Sequence, residues 1–170
     1  MKAFLTALTL AALPIAAHAE IVSSAPDGFT VKTVVVSPLA PAAAFKRFTK
    51  IGDWWSPDHS YSRDPKKNFR MDAKAGGCWC ETVPGGGSVQ HMRVLYVDPG
   101  KEIRLGGGLG PLQSMAVSAV LDVMFEPADK GTKVTATYSV GGYMPSMADK
   151  IPGPVDGVLT ESMQRFAGAP

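Results

Sequence analysis

The sequence predicts an α+β fold: a curved antiparallel sheet wrapped around a long C-terminal helix, with a cavity between sheet and helix. Three observations predict it. Residues 115–126 alternate cleanly, with Met115, Val117, Ala119, Leu121, Val123 and Phe125 on one face and Ser118, Asp122 and Glu126 on the other. Residues 132–140 alternate again, placing Val134, Ala136, Tyr138 and Val140 opposite Lys133, Thr135, Thr137 and Ser139. Two successive strands with one wet face each make a half-exposed antiparallel sheet. Finally, Val155, Val158, Leu159, Ser162, Met163 and Phe166 recur at helical spacing, opposed by Asp156, Glu161, Gln164 and Arg165. An apolar helical stripe and an apolar sheet face bury each other most economically when the helix lies across the sheet. A strongly bent sheet with one helix leaves space between them.

The remaining elements follow in order. Lys2, an apolar run from Ala3 to Ala12 and the small-x-small triplet Ala17-His18-Ala19 read as an export signal over residues 1–19. The apolar run falls short of the roughly 20 residues that span a bilayer. A single domain over residues 20–170 is expected, periplasmic or secreted. Residues 20–28 read as a polar lead-in. Residues 29–36, rich in Val and Thr, read as a strand ending at Ser37-Pro38. Pro41, three alanines and the Phe45/Phe48 pair mark a helix over residues 41–49, which leads to Trp54-Trp55. A polar loop or short broken helix over residues 58–67 precedes short strands near residues 69–73 and 78–83. A longer strand over residues 88–97 turns at Asp98-Pro99-Gly100-Lys101 into residues 102–105. Four glycines among residues 106–110 read as a loop, because no Lys-Ser/Thr follows as a phosphate cradle requires. Residues 141–153 read as a loop, and Gly168 as the stop of the last helix.

Charge excludes some partners. The chain has 17 Lys and Arg against 15 Asp and Glu, for a formal net charge of +2. Such a balance supplies no steering field for nucleic acid or acidic membranes. The cluster of Arg63, Lys66, Lys67 and Arg70 reads as a solvated loop. No cofactor motif is present, and no stable membrane anchor is expected. Oligomeric state is open.

The densest chemistry lies in Gly76-Gly77-Cys78-Trp79-Cys80-Glu81, which holds both cysteines. On a strand the two thiols face the same way, with Cα atoms about 6.5–7 Å apart, at or beyond the usual disulfide limit. Free thiols are therefore expected, or a redox-labile pair if the strand is distorted. A four-residue loop, Pro84-Gly85-Gly86-Gly87, pairs Val83 with Ser88 and hence Cys80 with His91, leaving Glu81 on the other face. That patch is cavity lining, a Zn or Cu site built on Cys78, Cys80 and His91, or a reactive centre in which His91 activates Cys80. Trp54 and Trp55 either cap a cavity or pack the core. His59, Ser60 and Tyr61 form a polar triplet beside them. Tyr138 presents a hydroxyl from the apolar face of the last strand. Met115, Val117, Leu121, Leu159 and Met163 are expected as cavity walls, with Gln113 near the mouth.

The chain resembles the START-like, SRPBCC or helix-grip superfamily, which includes Bet v 1, polyketide cyclases and the Hsp90-ATPase activator homologues. A first strand runs into a helix through Ser37-Pro38. Trp54-Trp55 ends the helical region, and Gly76-Gly77 opens a central strand. Val94-x-x-Val97-Asp98-Pro99 precedes a short strand, and Gly131-Thr132 precedes the last strand and helix. The resemblance spans residues 29–166 and implies a cavity for a hydrophobic or amphipathic small molecule. It implies no shared catalytic set. The leading expectation is an exported binding protein without catalysis. The alternatives are a cyclase, lyase or hydrolase using Cys80, His91, His59 and Tyr138, and a periplasmic metal binder.

Overall fold

The computed structural model describes residues 18–144 and 149–168. Residues 1–17 of the expected leader lie outside the described residues, as do residues 145–148 of the expected loop. The elements are strands β1 (His18–Ala25) and β2 (Gly28–Ser37), helix α1 (Pro41–Thr49), the short α2 (Pro65–Asn68), strands β3 (Phe69–Met71), β4 (Cys78–Val83), β5 (Gly87–Asp98), β6 (Glu102–Gly106), β7 (Ala116–Ala128) and β8 (Gly131–Tyr143), and helix α3 (Pro152–Ala167). Short 3₁₀ turns occupy Ile51–Asp53, Pro57–His59 and Gly110–Ser114. All strand pairings are antiparallel, in the order β1-β2-β8-β7-β6-β5-β4-β3 of one eight-stranded sheet.

The sheet's inner face follows the predicted alternation. Ala119, Leu121, Val123 and Phe125 of β7 are buried, as are Val134, Ala136, Tyr138 and Val140 of β8. Val31 and Val35 of β2 continue that surface. Helix α3 lies across it, packed against β2 and β1, and buries Leu159, Ser162, Met163 and Phe166. Gly168 ends the helix in the left-handed region, at φ 89°.

The C-terminal half of α3 is held tightly. The Phe166 ring meets Phe48 and Trp54 edge-on, and Phe48 meets Phe125. Arg47 of α1 donates from Nε to the Phe166 carbonyl at 2.6 Å and from Nη2 to the Arg165 carbonyl at 3.1 Å. A guanidinium there satisfies orphan carbonyls and meets the negative end of the helix dipole. Arg165 answers by donating Nε–H to the Trp54 carbonyl.

Two expectations about elements are corrected. The polar lead-in is strand β1, paired along β2 from His18↔Val34 to Ala25↔Gly28. Its side chains from Glu20 to Ala25 are exposed, so backbone pairing, not hydrophobic alternation, makes it a strand. Strand β8 also runs beyond the expected end, with Gly141–Tyr143 still paired to β7.

Candidate functional site: an apolar cavity with a buried acid–imidazole pair

At the other end of α3 the sheet and helix part. A cavity of about 640 Å³ opens between them. Ile151, just before α3, and Pro154, Val155, Val158 and Leu159 of its first turns form one wall. Leu109–Leu112 and Met115 form a second, and Trp55 with residues 58–61 a third. His91 of β5 reaches the lining from the sheet.

Each wall has a local cause. The Gly-rich loop is fixed by Tyr138, whose hydroxyl donates to the Gly107 carbonyl at 3.1 Å and accepts from the Leu109 N–H at 2.9 Å. Gly107 adopts φ 149°, and a Cβ there would lie 2.7 Å from the His91 carbonyl. Only glycine lets the loop approach β5 so closely. Gln113 donates its amide to the Gln90 carbonyl, tying the following turn to the same strand. The wall carrying Trp55 is secured by its indole N–H, which donates to the His59 carbonyl at 2.8 Å. The His59 ring meets Glu161 of α3 at 3.1 Å, bridging this wall to the helix.

The main polar feature is a pair that the sequence reading kept apart. His91 Nε2 lies 2.9 Å from Glu81 Oε2, with the Glu81 side chain fully buried. The same carboxylate accepts from the Tyr61 N–H at 3.2 Å and the Ser62 N–H at 2.6 Å. Burial pushes the Glu81 carboxyl up, but hydrogen bonds from Ser62, Tyr61 and His91 outweigh it and hold the group below the usual carboxylate range. Burial pushes the His91 imidazole down, and Glu81 only partly offsets this. At neutral pH the pair is a carboxylate and a neutral imidazole. An ionised carboxylate only accepts, so Nε2 carries the proton and Nδ1 keeps a lone pair.

The β4–β5 register explains the correction. The hairpin closes one residue earlier than expected: Val83 pairs with Gly87, not Ser88, because Gly85 and Gly86 both take φ 87° and tighten the turn. That closure alone sets Cys80 opposite Gln90, and a bulge between Trp79 and Cys80 then pairs Trp79 with Met92, leaving His91 as the extra residue on β5. Glu81 is turned inward and forms the pair with His91.

The cysteines sit at the same bulge. Beside it the Cα atoms of Cys78 and Cys80 lie 5.4 Å apart, closer than on a fully extended strand, and the two form a disulfide. The free thiols expected from an undistorted strand are therefore corrected to the bonded pair. As a disulfide, neither sulfur can act as a thiolate ligand or nucleophile. Among the described residues no cluster of three or more His, Cys, Asp and Glu side chains is placed to hold a metal ion.

Of the residues singled out in the sequence, Trp55, His59, Ser60, Tyr61, His91, Met115 and Leu159 line the cavity. Trp54, Val117, Leu121, Tyr138 and Met163 belong to the core or pack against it. Trp54 donates its indole N–H to the carbonyls of Arg47 and Phe48, fixing it in the aromatic cluster. The Tyr138 hydroxyl serves the loop backbone instead of facing the cavity, and burial raises its pKa to about 12. Cys78 and Cys80 lie outside the lining. Glu81 and the Leu109–Leu112 wall were missed. Alternation held the clue to Glu81, since it shares a strand face with Trp79, a side chain that is fully buried.

No protein-family model and no curated protein matches the chain. Solved structures do. A protein of unknown function from Staphylococcus aureus is similar at TM-score 0.60 and 12% identity, over 84% of this chain and 93% of that one. Ara h 8.0201 is similar at TM-score 0.58 and 17% identity, over 83% of this chain and 96% of that one. The AHSA1-like protein from Aeromonas hydrophila is similar at TM-score 0.52 and 12% identity, over 82% and 90%. Identities this low establish shared architecture alone. The chain has the START-like, Bet v 1-type helix-grip fold.

Proposed function

We propose that this protein binds a hydrophobic or amphipathic small molecule in the cavity between the sheet and the first turns of α3, without transforming it. The observation that carries this reading is the cavity itself. Its volume of about 640 Å³ and mostly apolar walls fit the usual dimensions of ligand sites, about 300–1,000 Å³. Binding is favoured over catalysis because three of the four expected reactive groups are committed elsewhere, and His91 alone presents a ring nitrogen to the cavity. Cys80 is in a disulfide, Tyr138 is bonded to the Gly-rich loop and His59 faces Glu161. A metal role for Cys78 and Cys80 would first require their reduction.

Export completes the proposal. Residues 1–19 have the composition of a cleavable leader. The disulfide supports the reading, because such bonds persist in oxidising compartments. Among the described residues no helix is long and apolar enough to cross a membrane.

The test is a titration with 1-anilinonaphthalene-8-sulfonate, alongside native mass spectrometry of protein purified from its own cells. One probe per chain is expected, displaced by extracts carrying the natural ligand. Val158→Trp, which fills the cavity from α3, should lower probe affinity at least tenfold while the fold is retained. Unchanged binding in that variant would place the site elsewhere.

A further inference from the structure

Resting on the cavity as the binding site, we propose that its ligand carries a hydroxyl, alcoholic or phenolic, on an apolar body, and that His91 Nδ1 accepts the hydrogen bond from it. The argument begins with Glu81. Its carboxylate is saturated by donors: the N–H groups of Tyr61 and Ser62, and His91 Nε2. That arrangement fixes the imidazole tautomer, because the carboxylate has no proton to give. Nδ1 is left as an acceptor.

Nδ1 has no hydrogen-bond partner among the described residues, yet it is not one of the sealed, unpartnered atoms of the core, as the Trp79 indole nitrogen is. His91 is only 5% exposed and lines the cavity. Its ring is held by neighbouring rings, with Phe69 at 4.9 Å, Trp79 at 5.5 Å and Tyr61 at 6.0 Å between centroids. The acceptor is therefore oriented twice over, by a buried carboxylate and by aromatic packing.

The other polar side chains of the cavity are less suited to the task. Asp58 pairs with Arg63, His59 with Glu161, and the Ser60 hydroxyl donates to the Pro57 carbonyl. Lys150 and Tyr61 are exposed at the mouth. A guest entering an apolar cavity that presents one buried acceptor binds best when it offers one donor there. A guest without a donor leaves the acceptor desolvated and unpaired.

A matched pair of probes tests this: 1-naphthol, and 1-methoxynaphthalene, in which the donor is blocked. Binding to the protein is followed by intrinsic tryptophan fluorescence and calorimetry. At pH 8, 1-naphthol should bind about tenfold more tightly than its ether, the usual scale for pairing a buried polar group. In His91→Phe, with folding verified by circular dichroism, the two affinities should converge. Equal binding of both probes by the native protein, or a preference that survives in His91→Phe, overturns the inference while leaving the cavity as a binding site. Failure of both probes to bind removes the cavity reading and this inference together. A second measurement needs no variant: nitrogen NMR of histidine-labelled protein should show His91 protonated at Nε2 and bare at Nδ1. A neutral ring protonated at Nδ1 would contradict the assignment.

Discussion

The two halves of helix α3 meet the same sheet in opposite ways. Toward Gly168, Phe166 is enclosed by Phe48 and Trp54, and Arg47 bonds the last carbonyls. Toward Ile151, Val155 and Val158 are only half-buried and line the cavity. One end resembles a protein interior, in which close packing leaves few voids. The other leaves apolar surface without partners, which an apolar guest can cover. Stability and binding are thus divided along a single helix, and each end can be altered with little effect on the role of the other.

The largest test of that division is a pair of truncations. Phe166→Ala at the packed end should cost about 3–5 kcal/mol, as aromatic truncations in closed cores do. Val158→Ala at the open end should cost less than about 1.5 kcal/mol, because it creates no new enclosed void. Chemical denaturation of both variants measures the contrast. Equal costs would mean that α3 is packed alike at both ends.

Next in size is the disulfide, which bridges strand positions outside the cavity lining. Its ring is short, so the entropy it removes from the unfolded chain is small. The double substitution Cys78→Ser, Cys80→Ser should cost at most about 2 kcal/mol. Probe affinity should stay within a few-fold. A large loss of binding would show that the bulge around Trp79 shapes the cavity directly.

The smallest effect concerns pH, and it sharpens the role of the buried pair. His91 has a lowered pKa in the fold, so the unfolded chain takes up a proton first as pH falls below its ordinary value near 6.5. Its contribution to stability is complete above that value and is lost as pH drops toward the folded one. Glu81, also lowered, adds a second loss below the ordinary carboxylate range. The melting temperature should therefore fall by a few degrees between pH 7 and pH 5, and His91→Phe should flatten that limb. An identical slope in the variant would remove His91 as its source.

The contrast between the ends of α3 also marks what could be read from residues alone. The packed end was legible because periodicity reports burial. The stripe from Val155 to Phe166 and the alternation of β7 and β8 recur in the structure as the faces they predict. The β1 strand was hidden, because an exposed edge has no apolar face to announce it. The site was harder to read. Its polar pair depends on a register set by Gly85, Gly86 and the bulge at Trp79, and a one-residue slip reverses which side chains meet. Tyr138 was placed on the correct face, but only the path of the Gly-rich loop shows that its hydroxyl serves the backbone.

The most direct measurement is methyl NMR of the protein titrated with 1-anilinonaphthalene-8-sulfonate. The expected result is a set of shifts confined to Val155, Val158, Leu159, Leu112 and Met115, with Val123, Val134 and Leu105 in the sheet core unmoved. Shifts centred on the exposed outer-face residues Leu95, Val120 and Met124, or none at all, would contradict a ligand held between α3 and the sheet.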